Sequence, residues 1–328
     1  MIRYVGKRLL WMIPVMLGIA ILIFSIMYIS PGDPAQSLLG PSASALELAA
    51  KREEMGLNDS YIVRLGRFLY QTFIKFDLGT SYKFGTPVFA GLMERMQYTL
   101  VIALLCMALQ IFVGTPLGIV AATHHNGAAD RICMFMALLG VSIPAFWLAL
   151  MLVLLVSVNL GWLPTSGVSN GFASLILPCI ANSFAGIASQ ARHTRSSMLE
   201  VIRSDFIVTA KAKGLSSRTV LFKHALPNAL IPIITVVGNG MGMMLGGTVI
   251  IENVFAIPGV GRYMTDAISS RDYPVVMGGV LILGVIFSLI MLMVDIIYAF
   301  VDPRIKAQYE GKKKVKKMLD AGNKKGGT

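Results

Sequence analysis

The feature that most constrains this chain is the run Leu9 to Ile29, which carries no charge and is long enough to cross a bilayer as a helix. A span through about 30 Å of hydrocarbon needs roughly 20 mostly apolar residues, because every backbone polar group must be satisfied inside it. Arg3, Lys7 and Arg8 precede the run as the basic region of a signal peptide would. The run is nevertheless too long for that role, no small-residue cleavage site follows, and Ser30-Pro31-Gly32-Asp33-Pro34 ends it with turn residues. It reads as a retained first transmembrane helix. Five further spans are expected at about Tyr98–Ala122, Ile132–Val158, Phe172–Ser189, Ile231–Ile251 and Val275–Val301. The fourth contains Pro178, Asn182 and several serines, which a helix enclosed by its neighbours tolerates better than one facing lipid. Composition agrees, since 55% hydrophobic and 14% charged residues lie outside the range of soluble domains.

The expected fold is therefore all-α, a polytopic membrane helix bundle of six transmembrane helices with both termini cytoplasmic. Lys and Arg collect on cytoplasmic loops. Six spans place three basic residues at the amino terminus, one in His124–Arg131, seven in Ala191–Leu230 and nine after Val301 on the same side. The opposite loop Asn159–Gly171 has none. The segment Ser30–Gln97 is too long to vote on orientation. The expected organisation is a first helix over 1–30, an extracytoplasmic segment over 31–97, a five-helix core over 98–301 with an inner loop at 191–230, and a basic cytoplasmic tail over 302–328. Net charge of +12 is concentrated in the inner loop and in the tail, at Lys312, Lys313, Lys314, Lys316, Lys317, Lys324 and Lys325. Lysines beside a membrane are read as contacts to anionic lipid rather than to nucleic acid.

What the chain lacks narrows its chemistry. It has no GxxxxGK[ST] phosphate loop, and the glycine-rich stretch Gly238–Gly247 lies inside the fifth span, where it cannot cradle phosphate. Gly238, Gly242 and Gly246 recur every four residues, which reads as a helix-packing stripe. No catalytic constellation is present; His124 and His125 are adjacent in a short loop without a third metal ligand in register. Cys106, Cys133 and Cys179 read as core residues, with neither a disulfide nor a metal site indicated. Asp295 is the one clear acid within a span, and it is expected to pair with a basic residue near the inner face. An ion-coupled secondary transporter would need more such groups and often shows repeated halves; this sequence shows one acid and no evident repeat.

The inner loop is the informative segment, and it reads as two short helices. Ser204 or Asp205 can start the first, Lys211 and Lys213 suit its negative end, and Gly214 supplies a left-handed stop. Ser216 or Ser217 can start the second, which is expected to end near Pro227. Phe206, Ile207, Ala210 and Leu215 are expected to leave apolar and small surface for a docking partner.

Here the sequence resembles the membrane subunits of binding-protein-dependent ATP-binding-cassette importers, whose signature loop reads EAA, three residues, G, nine residues, then IxLP. Ala210, Gly214, Leu226 and Pro227 stand at matching positions with that spacing, while Val208 replaces the Glu, Thr209 the first Ala and His224 the Ile. The variant TAKAKGLS…HALPNALIP resembles the oligopeptide, dipeptide and nickel branch, as do SPGDPA, FDLGTSY at 76–82, SIPAFWLAL at 142–150, LGWLPTSG at 160–167, ENVFAIPGVGR at 252–262, RDYPVV at 271–276 and DPR at 302–304. The resemblance implies a permease subunit in the cell membrane that forms half of a pore for peptides, with nickel as the other cargo of the branch. It further implies a second homologous permease, two cytoplasmic ATPase subunits that carry ATP and Mg, and an extracytoplasmic substrate-binding protein. No cofactor is expected on this chain, which would not itself be an enzyme. Asp205, Phe206, Ile207, Thr209, Ala210, Lys211, Lys213, Gly214, Leu215, Leu226 and Pro227 are the residues expected to couple it to the ATPases. The outer loops, including Phe255–Arg262, are expected to meet the binding protein, and Tyr61–Phe76 to lie on the membrane surface or over the pore mouth.

Overall fold

A computed structural model describes residues 2–301. The basic tail and the DPR motif of the sequence analysis lie outside the described residues. Among the described residues, five continuous helical spans are long and apolar enough to cross a membrane: Val5–Ile29, Val88–Thr123, Ala173–Ile202, Ser217–Gly242 and Tyr273–Ile297. A sixth is made of two pieces, Ala128–Ser142 and Ala145–Asn159, bent by 99° at their junction. The architecture is thus an all-α polytopic membrane bundle, in which the expected third span is broken. Pro144 explains the break. Ile143 before it is extended (φ −84°, ψ 121°), the conformation that a following proline ring enforces, and the helix restarts immediately after it.

In chain order the elements are α1 (Ile2–Ile29), then α2 (Pro34–Leu39), α3 (Ala45–Glu54) and α4 (Tyr61–Phe73) in the segment after it. Next come α5 (Val88–Leu109), a π-helical turn (Gln110–Gly114) and α6 (Thr115–Thr123), which together form the second span. The broken span is α7 (Ala128–Ser142) and α8 (Ala145–Leu152), prolonged by a π-helical turn to Asn159. The chain then forms α9 (Ala173–Ile202), α10 (Asp205–Ala212), α11 (Ser217–Thr219), a third π-helical turn (Val220–Ala225), α12 (Leu226–Val254), α13 (Val260–Ser269) and α14 (Tyr273–Val301).

The least apolar span is the most enclosed. Half of the α9 window is buried, against 11–28% of the windows in the other continuous spans. It packs against α5, α6, α7, α8 and α12, so its polar residues meet protein rather than lipid. Asn182, Ser183, Gln190 and Thr194 are all buried. Gln190 donates to Thr115 Oγ1 at 3.2 Å and to the Ile233 carbonyl at 3.4 Å, and accepts from Gln110 at 3.2 Å, joining three spans through side-chain bonds. Close approach depends on small residues: a Cβ at Gly118 would lie 2.5 Å from the Ala191 carbonyl oxygen.

The glycine stripe on α12 divides. A Cβ on Gly238 would meet Val294, and one on Gly242 would meet Phe287, so both hold α12 against α14. Among the described residues Gly246 has nothing within 4 Å of that position. Packing within the chain therefore accounts for two of the three expected positions. Asp295 pairs with Arg8 at 2.9 Å, tying α14 to α1.

The amphipathic α4 lies against the first span. Phe24 stacks on Phe68 at 5.5 Å, Tyr28 meets Tyr61 edge-on at 5.1 Å, and Arg64 sits 5.2 Å above the Tyr28 ring.

Candidate functional site

The Arg-rich loop is more ordered than its sequence suggests. Helix α9 runs on to Ile202, well past the expected end of the fourth span, and a two-residue corner leads into α10. Ser204 has the extended N-cap conformation, but its hydroxyl donates backwards to the Val201 carbonyl at 2.6 Å instead of capping α10. The other end is a Schellman stop. Gly214 adopts φ +79°, its amide bonds to Lys211 O at 2.9 Å, and Leu215 N reaches Ala210 O at 3.4 Å. Ser216 then caps α11 by accepting from Thr219 N.

The second loop helix does not end near Pro227, as the sequence reading expected. The chain stays helical from Ser217 to Gly242, through the π-helical turn and into α12. Proline is tolerated here because it falls in the first turn of α12, behind a wider turn that relaxes the backbone register. Asn228 Nδ2 donates to the His224 carbonyl at 2.7 Å, a further bond at the same junction.

Helix α10 has two faces. Ile207 and Ala210 are buried, together with Ala122, Met198, Val220, Ala225, Ala229 and Ile233, and so anchor α10 to the bundle. Both residues are expected from sequence on the free surface; the helical period instead turns them inwards. Leu226 is half-buried at the edge of this cluster. Asp205, Phe206, Thr209, Lys211, Lys213, Gly214, Leu215 and Pro227 are exposed, with Phe206 46% and Val208 60% accessible. The outward face therefore joins an aromatic ring and aliphatic carbons to two lysines, on a helix whose other face is fixed.

A charged cluster braces the loop from beside it. Asp130, at the start of α7, takes a two-point contact from Arg195 of α9, with Nε to Oδ1 at 2.5 Å and Nη2 to Oδ2 at 2.7 Å. Asn126 N also donates to Asp130, and His125 bridges Arg195 and Arg203 at 3.2 and 3.0 Å. The His124-His125 pair, expected only as adjacent short-loop residues without a metal, thus supplies one member of a structural network. Removing the Asp130 carboxylate leaves Arg195, whose side chain is 22% exposed, without its acidic partner. Asp130→Ala is expected to cost about 2–4 kcal/mol. Thermal unfolding of the detergent-solubilised protein should show a lower midpoint than Asp130→Asn, which keeps part of the hydrogen bonding.

At the opposite end the turns interlock around two acids, Glu252 and Asp272, for which the sequence alone suggests no role of their own. Glu252 is buried in the last turn of α12, where it accepts from Thr99 Oγ1 at 2.6 Å and Arg262 N at 3.0 Å. Thr99 Oγ1 in turn accepts from Val260 N at 2.9 Å, so one carboxylate and one hydroxyl hold the start of α13 against α5. A Cβ on Gly259 would fall on the Glu252 carboxyl, which is why the turn needs glycine there. Asp272 plays the corresponding part for FDLGTSY, accepting from Ser81 Oγ, Tyr82 N and Lys83 N. Phe255, Ile257 and Val260 are buried, so most of the segment expected to meet the binding protein is spent on this lock. For Glu252 the available signal was an acid placed between an apolar run and a Pro-Gly turn.

Residues 114–307 match the family described as "Binding-protein-dependent transport system inner membrane component", and residues 1–103 match its N-terminal component. The chain belongs to this family. This permease is 42% identical to the dipeptide transport system permease protein of Alkalihalophilus pseudofirmus, over 93% of its own length and all of that protein. It is 40% identical to the glutathione transport system permease protein of Salmonella paratyphi A, covering 93% of this chain and 99% of that one. Among solved structures, an inward-facing methionine ABC transporter chain matches with a TM-score of 0.53 at 20% identity, over 64% of this permease and 96% of that chain. That likeness concerns the fold alone.

Proposed function

We propose that this permease forms one half of the membrane pore of an ATP-driven peptide importer. The observation that carries the reading is end-to-end similarity to a dipeptide permease, supported by a glutathione permease whose named cargo is also a peptide. A second homologous permease completes the pore, an extracytoplasmic binding protein delivers the peptide, and two cytoplasmic ATPase subunits hold ATP and Mg. Both termini and the Arg-rich loop face the cytoplasm, as the distribution of Lys and Arg favours.

Coupling runs through α10. Its outward face, Phe206, Val208, Lys211 and Lys213, docks on the ATPase, while Ile207 and Ala210 transmit the displacement into the bundle. ATP-driven closure of the ATPase pair then moves α10 as a rigid body and biases the pore between two states, as an interface that favours one of two packings must. The test is uptake of a labelled dipeptide into proteoliposomes containing the whole complex and its binding protein. Accumulation that needs ATP supports the reading, whereas accumulation driven by a proton gradient without ATP contradicts it.

A further inference from the structure

A cavity of about 200 Å³ opens between the start of α5, the loop before it and α13. Three cations line it, Lys83, Arg95 and Arg262, together with Tyr263, Asp266 and Asp272. The two acids do not cancel the three bases. Asp272 is buried and its oxygens accept from Ser81 Oγ, Tyr82 N and Lys83 N, so it keeps its charge but forms no ion pair with the cavity's cations. Arg95 lies over the Tyr263 ring at 4.2 Å and donates to the Gly91 carbonyl, so its guanidinium is held in place, with exposed Glu94 at 3.5 Å as its acidic neighbour. Lys83 sits 5.4 Å from the Phe84 ring. Among the described residues neither Lys83 nor Arg262 forms a salt bridge. Arg262 commits its backbone amide to Glu252.

From this arrangement we propose that the cavity is a carboxylate-binding site at the outer mouth of the pore, which receives the C-terminal carboxylate of the incoming peptide. The inference rests on the peptide-importer reading and deepens it. A fixed guanidinium and two unpaired cations over an aromatic wall match a carboxylate in charge and in hydrogen-bonding geometry. The volume suits a carboxylate with its adjoining residue and is too small for the folded surface of another protein. A terminal carboxylate is also the one anionic group that peptides of every sequence share, so a site for it would admit cargo without regard to side chains.

The experiment uses the reconstituted complex and two peptides that differ only in a C-terminal carboxylate or amide. Each is loaded on the binding protein to saturation after its affinity has been measured separately. Wild type should import the carboxylate form about tenfold faster, the scale of one charge-assisted contact in a partly solvated site. Lys83→Gln/Arg262→Gln should reduce that ratio to near one by slowing the carboxylate form alone. Lys83→Gln by itself, at an exposed side chain, should give a partial reduction if the double variant assembles poorly. Equal slowing of both peptides, relieved by excess binding protein, would overturn the proposal and identify the cavity as a docking site for an acidic group of that protein. An unchanged ratio would overturn it as well. Failure of wild type to import either peptide with ATP would instead strike at the importer reading.

Discussion

Phe206→Asp is expected to reduce ATP-driven peptide uptake by at least tenfold while leaving the amount of folded permease unchanged. The side chain is 46% exposed on the outward face of α10, so the bundle loses little when it is replaced. A docked aromatic ring, by contrast, commonly carries about 2 kcal/mol or more of an interface, and a carboxylate in the same groove adds the cost of burying an unpaired charge. Ile207→Asp is the informative contrast, because Ile207 is fully buried next in sequence. It should deplete folded protein in detergent, as judged by size exclusion and thermal unfolding, before any question of coupling arises. Loss of uptake in Phe206→Asp with ATPase subunits still bound at wild-type affinity would remove α10 from the contact and contradict the proposed route.

The second large effect is expected at Glu252. Glu252→Ala removes the acceptor of Thr99 Oγ1 and Arg262 N and leaves those donors in a buried site. Each unsatisfied buried group costs about 1–3 kcal/mol, so a loss on the order of 3 kcal/mol and a markedly lower unfolding midpoint should follow. Thr99→Val strips two links, its own bond to the carboxylate and the acceptor of Val260 N, and leaves the Arg262 amide bonded to Glu252, so a loss of similar size is expected. Limited proteolysis should then cut first near Pro258, the exposed residue of the turn. Wild-type stability in Glu252→Ala would mean that the α12–α13 junction is held by its apolar residues alone.

Much of the bundle was legible because hydrocarbon imposes a length on apolar runs, and that length survives any arrangement of the helices. The enclosed position of α9 was legible for the complementary reason: Pro178 and Asn182 are costly beside lipid and acceptable beside protein. Pro144 was equally visible, yet the 99° bend it introduces was not drawn from it, because a proline between two apolar stretches is compatible with a mild kink as well as with a break. The inner loop followed its local signals at Gly214 and Ser216, where backbone conformation is set within a few residues. Local signals could not say which way α10 faces. The inward turn of Ile207 and Ala210 depends on Met198 and Ile233, residues on other helices. Glu252 and Asp272 were missed on the same ground: each looks like a loop charge until distant partners, Thr99 and Ser81, come within bonding distance. Asp295 is the opposite case, an isolated acid whose need for a basic partner followed from its surroundings, and Arg8 supplies it.

The most direct measurement of the central claim is affinity recovery of tagged permease from mild detergent after light cross-linking, with mass spectrometry and an ATPase assay on what is recovered. The account predicts a second homologous permease and two ATPase subunits in the recovered complex, with hydrolysis that rises when peptide-loaded binding protein is added. A stable permease recovered alone, with no ATPase activity and no cross-linked partner, would contradict it.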